Sequence, residues 1–232
     1  MRLGLLLFGL VLAALGVHVA FPAAAAAGCP SCYGFADVGG NVFVERSMPP
    51  EQRAATLPLV NAARDRVRGL YGSLSGNPRI LICSTEDCYG RLGGRSRGVA
   101  LLDQALILSP RGTDVVIAAH ELSHIELHSR LGWLRTLSNA LPQWFDEGLA
   151  VVVSDDPRYL AADRQGDRCR VEPDGSMPTS RAAWIERAES ADLYAKAACR
   201  VNRWISAHGG PPSIQRLSTA IADGEAFEMA AR

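Results

Sequence analysis

The chain has 232 residues, and its 24 basic and 24 acidic side chains balance. Arginine carries nearly all the positive charge, Lys196 being the single lysine, and no basic patch stands out. Nucleic acid is therefore not an implied partner, and the length suffices for one well-buried core, or one core plus a small lobe.

Leu3 to Phe21 is apolar except for His18, follows Arg2, and runs into Pro22 and the small-residue stretch 23–28. A cleavable export segment has an apolar core of about 7 to 15 residues and a spanning helix about 20, so this stretch sits between the two. Residues 1–28 are expected to form a signal peptide, with Ala25-Ala26-Ala27 as the cleavage region, or an uncleaved N-terminal membrane anchor. Either way the rest of the chain is expected outside the cytoplasm, in a periplasm or held at the membrane, because Arg2 favours an N-terminus on the inner side.

The six cysteines agree with export, an even number suggesting up to three disulfides. Cys83 and Cys88 flank the short polar loop Ser84-Thr85-Glu86-Asp87 and can close it. Cys169 and Cys199 can tie a long loop to a later helix, and Cys29 with Cys32 is taken as a structural pair.

Residues 29–41 are read as a linker and 42–232 as one α+β domain. Asn41 to Glu45 predicts a short strand, Pro58 to Tyr71 an amphipathic helix stopped by Gly72, and Pro78 to Cys83 a buried strand. Gly90 to Gly98, rich in glycine and arginine, predicts a loop. Two strand-like runs follow, Val99 to Leu102 and Ala105 to Ser109. Thr113 is a candidate cap for a helix running to about Arg130, and Pro142 opens another ending near Ser154. Asp155 to Thr179 has no periodicity and predicts a long loop. Helices are then expected at about Arg181 to Glu189, Asp192 to His208 and Pro212 to Asp223.

The most informative segment lies in the helix after Thr113. In His120-Glu121-Leu122-Ser123-His124 the two histidines are four residues apart, which places them on one helical face about 6 Å apart along the axis. Both imidazoles can then reach one metal ion, and Glu121 between them can accept a proton from a water on that ion. The apolar run Val115 to Ala119 makes this a buried helix, where imidazoles and carboxylates need partners. Catalytic zinc usually takes three protein ligands. Glu147, 23 residues after His124 and inside the helix opened by Pro142, is the best third candidate. His128, eight residues from His120, is about 12 Å along the axis and too far to share the ion, so it is expected to be an exposed or hydrogen-bonding histidine. Asp146 points about 100° from Glu147 and is expected to support a histidine ligand.

These two segments resemble those of the gluzincin metallopeptidases, in which His-Glu-x-x-His is followed by a separate helix carrying Trp-x-x-Glu-Gly. His120, Glu121 and His124 match the first motif, and Trp144, Glu147 and Gly148 the second. The resemblance implies a zincin-like α+β domain with a small mixed sheet, an active-site helix and a C-terminal helical part. It also implies a Zn2+ cofactor held by His120, His124 and Glu147, hydrolysis of peptide or protein substrates, and Glu121 as general base. The two strand-like runs before the active-site helix, Val99 to Leu102 and Ala105 to Ser109, resemble the edge strand along which gluzincins align a peptide. Tyr194 is the candidate for the tyrosine that donates to the developing oxyanion in aminopeptidase-type members. The Gly-x-Met-Glu-Asn segment of the aminopeptidases is missing, which weakens an exopeptidase reading. Two rival classes remain: a zinc-stabilised binding or assembly module without turnover, and a membrane-anchored scaffold. Glu121 argues against the first, since metal binding alone does not need that carboxylate.

Overall fold

The computed structural model describes residues 21–162, 167–188 and 192–232. The apolar segment before Phe21 lies outside these residues, and among the described ones no helix is long and apolar enough to cross a membrane.

The chain is α+β, with five strands in one mixed sheet. They are β1 (Phe35–Gly39), β2 (Val42–Glu45), β3 (Arg79–Ile82), β4 (Gly98–Leu101) and β5 (Ala105–Leu108), arranged β1-β2-β3-β5-β4. The β1–β2 and β4–β5 pairs are antiparallel, while β2–β3 and β3–β5 are parallel, with Ile80 opposite Leu106 and Ile82 opposite Leu108. Strand alternation divides the apolar residues between the two faces. Ile80, Ile82, Leu106 and Leu108 join the larger core, while Leu81, Cys83 and Ile107 pack with Phe35, Tyr89, Leu92 and Ala26 on the other side. All four β5 residues are buried, as a strand covered on both faces requires.

That second face revises the expected domain boundary. Residues 29–41 are not a linker: Pro30–Tyr33 form a 3₁₀ turn closed by the Cys29–Cys32 disulfide, and β1 is an edge strand of the sheet. A first helix, α1 (Pro22–Gly28), buries Ala26 completely, and Arg79 donates to the carbonyls of Ala27 and Gly28. The packed unit therefore begins well before Val42. A five-residue strand with one inward aromatic, Phe35, is too short a periodic signal to stand out beside so apolar a leader.

The larger core faces the helices. The helix α2 (Pro50–Tyr71) starts eight residues earlier than expected: Pro50 serves as a helix opener, and Pro58 is accommodated inside. Thr56, Val60, Ala63, Val67 and Tyr71 form its buried stripe at three- and four-residue spacing. The polar loop between Cys83 and Cys88 is itself the start of α3 (Glu86–Arg91), capped by Thr85 and closed by the anticipated disulfide.

The helix bearing the two histidines, α4 (Val115–Leu131), is capped by Asp114, whose Oδ1 accepts from the amides of Val116 and Ile117 at 2.8 and 3.0 Å. Thr113, the expected cap, instead donates its hydroxyl to the Ser109 carbonyl. A short α5 (Trp133–Leu137) leads to α6 (Gln143–Ser154), which carries Glu147. Then come α7 (Arg181–Arg187), α8 (Leu193–Ala207), α9 (Pro212–Ala222) and a brief α10 (Phe227–Ala230). The described part of the region 155–179 is the expected loop, with one bridge between Leu160 and Cys169. It is fastened to α8 by the Cys169–Cys199 disulfide and by the ion pairs Arg203–Asp167, Arg203–Glu172 and Lys196–Asp174.

Candidate metal centre

The centre forms where α4 and α6 face each other. His120 and His124, one turn apart on α4, bring their Nε2 atoms to 3.2 Å. From α6, Glu147 places Oε2 3.4 Å from His120 Nε2 and 3.8 Å from His124 Nε2. Four-coordinate zinc with bonds of about 2.1 Å has ligand-to-ligand edges of about 3.4 Å, so these three separations match the face of such a tetrahedron. Glu147 Oε2 is buried and has no hydrogen-bond donor. Such a carboxylate oxygen is costly unless a cation faces it. The group His120, His124 and Glu147 can thus hold a metal ion.

Neighbouring side chains hold these ligands in place. Asp146 Oδ1 lies 2.7 Å from His124 Nδ1, which directs the other ring nitrogen toward the cluster. The second oxygen of Asp146 meets His128 Nε2 at 3.4 Å, while His128 Nδ1 lies 3.4 Å from the Leu102 carbonyl oxygen. His128 is accordingly a hydrogen-bonding residue beside the cluster, and Asp146 contacts both His124 and His128. Gln143, four residues before Glu147 on α6, donates Nε2 to Glu147 Oε1 at 3.0 Å.

The local field favours a cation. Burial opposes charge on His124, yet the adjacent Asp146 carboxylate overrides it and pushes the imidazole up to about 10, with Glu147 and Glu121 adding to the effect. Burial also opposes ionisation of Asp146, but the charge and hydrogen bond of His124 hold its carboxyl far below the usual range. Glu147 is lowered as well, since His120 and His124 outweigh its burial.

Two glycines explain how closely the parts fit. A Cβ on Gly148 would stand 2.5 Å from the carbonyl oxygen of Ala197, so the absent side chain is what lets α6 lie against α8. A Cβ on Gly98 would stand 2.9 Å from Glu121 Cγ and 3.2 Å from its Cδ, so the start of β4 rests on the Glu121 side chain. Among the described residues β4 pairs only with β5, leaving its outer edge open next to Glu121.

Tyr194, on α8, has its ring centre 6.4 Å from that of His120. It stacks on Tyr159 at 5.1 Å and meets Trp184 edge-on at 5.0 Å, and burial pushes its phenol upward, so the hydroxyl stays protonated. Trp144 takes a packing position: it contacts Phe145 and Phe227, and the Arg200 guanidinium lies over its ring at 5.3 Å. Sequence reasoning missed Gln143, for which the only signal was its four-residue spacing from Glu147. It also missed Tyr159, which lies in an aperiodic loop, and Gly98, which ends the Gly-Arg-Ser-Arg-Gly run. The chain matches no family model, no curated protein and no solved structure.

Proposed function

We propose that this chain is a zinc-dependent peptidase of the gluzincin type, with a zincin-like domain that cleaves peptide or protein substrates outside the cytoplasm. The observation that carries the proposal is the buried, donorless Oε2 of Glu147 facing the Nε2 pair of His120 and His124, with Glu121 and an open strand edge beside it. Two imidazoles and a carboxylate suit catalytic zinc, which keeps its fourth position for water or substrate.

Zinc held by His120, His124 and Glu147 would supply a Lewis acid for the substrate carbonyl and a water of lowered pKa. The chain's own groups do the rest. The free edge of β4 accepts an extended peptide through main-chain hydrogen bonds and brings its carbonyl over α4. Glu121, on the α4 surface under that edge, takes the proton of the attacking water and returns it to the departing amine nitrogen. Tyr194, protonated and one ring away from His120, donates to the oxygen of the attacked carbonyl as its charge grows. Asp146 keeps His124 oriented throughout. Three disulfides accord with an oxidising compartment.

The test is to load the purified chain with zinc and incubate it with a peptide library read by mass spectrometry. Cleavage should vanish with a chelator and return when about one equivalent of zinc is restored. A zinc-loaded chain that leaves every peptide intact would sink the proposal in favour of a binding module.

A further inference from the structure

We infer that Gln143 is a positioning residue that decides which oxygen of Glu147 faces the metal and keeps that carboxylate binding through one oxygen only. The inference rests on the metal-binding part of the proposed function and not on peptide hydrolysis. Glu147 has two chemically equal oxygens in unequal surroundings. Oε1 accepts from Gln143 Nε2 at 3.0 Å, whereas Oε2 has no donor and faces His120 and His124 at 3.4 and 3.8 Å. An ionised carboxylate only accepts hydrogen bonds, so the Gln143 amide must present its NH2 group, which fixes its orientation as well.

Gln143 can act this way because its own backbone is anchored. At the start of α6 its amide donates to the Thr179 carbonyl at 2.9 Å, and the Trp144 amide donates to the Pro178 carbonyl at 3.2 Å. The end of the long loop thereby supplies acceptors to the first turn of α6, where helix amides have no partner within the helix. One turn later, the same face presents Glu147. A neutral donor is well suited here, because it occupies Oε1 without adding a charge that would compete with the metal. Were Oε1 released, both oxygens could approach the ion and fill the position that a catalytic site keeps open for water or substrate.

Gln143→Met, which keeps length and helix propensity but removes the donor, tests this by metal binding rather than turnover. Zinc affinity is measured by chelator competition, and the coordination number is read from the visible spectrum of the Co2+-loaded chain. The affinity should fall by about 10- to 100-fold as Glu147 loses its orienting partner, and the Co2+ bands should weaken as a four-coordinate site gains a ligand. If Gln143→Met does not fold, Gln143→Asn, whose amide is too short to span the turn, answers the same question. Affinity within twofold of the parent and a superimposable Co2+ spectrum would overturn the role assigned to Gln143. A parent chain that binds neither ion overturns the metal reading itself, and this inference with it.

Discussion

Gly148→Ala should destabilise the fold and loosen the metal site together, because one contact governs both. The added Cβ would lie 2.5 Å from the Ala197 carbonyl oxygen, 2.7 Å from its carbon and 2.8 Å from Val201 Cγ2. Reaching an ordinary contact of about 3.4 Å requires α6 and α8 to part by about 1 Å, and two of the three obstructing atoms are backbone, which cannot rotate away. Overpacking of this kind costs about 1 to 3 kcal/mol, with a rigid wall placing it near the top of that range. Alanine regains up to about 1 kcal/mol over glycine within a helix, so a net loss of about 2 kcal/mol is expected. Urea unfolding of the chelator-treated protein measures that loss without any contribution from metal. The same shift moves Glu147 relative to two histidines on another helix, so zinc affinity should fall by at least about tenfold. A variant as stable as the parent, with zinc affinity within twofold, would refute the claim that this glycine sets the distance between the helices.

Asp146→Asn removes the carboxylate 2.7 Å from His124 Nδ1, and zinc affinity measured by chelator competition should drop by about 10- to 100-fold with the fold intact. Replacing Cys169 and Cys199 by serine opens the bridge with the largest sequence separation, 30 residues against 3 and 5 for the others. Loop-closure entropy then predicts a loss of about 3 to 4 kcal/mol in denaturant unfolding, the largest of the three bridges. Tyr194→Phe should lower kcat on a cleaved peptide by about 10² to 10³ with little change in KM, zinc content or stability. An unaltered kcat would return Tyr194 to its packing role between Tyr159 and Trp184.

The features legible in the sequence are those governed by local periodicity. Four-residue spacing put His120 and His124 on one face, and the 100° helical step turned Glu147 and Asp146 toward different partners, because both effects operate within a single helix. The Cys83–Cys88 bridge was legible for the same reason, its half-cystines being five residues apart. Apart from the Cys169–Cys199 bridge, anticipated from the even cysteine count, features that depend on contacts between distant segments were not. Glycine at 148 reads as part of a motif, but its reason is Ala197 on another helix. Thr113 and Asp114 are both good capping types, and in the fold Asp114 caps α4 while the Thr113 hydroxyl donates to the Ser109 carbonyl. The strand β1 was hidden because its stability comes from pairing with β2, whose partner residues such as Glu45 opposite Phe35 no local pattern announces.

In the proposed mechanism the metal cluster and Glu121 together hydrolyse peptide bonds. Glu121→Gln keeps the shape of the side chain and leaves His120, His124 and Glu147 untouched, so it separates metal binding from catalysis. The direct measurement compares parent and variant at equal, verified zinc content on one cleaved peptide. The mechanism predicts about one zinc per chain in both and a fall in kcat/KM of at least about 10² to 10⁴ in the variant. Equal hydrolysis by the two proteins would contradict it.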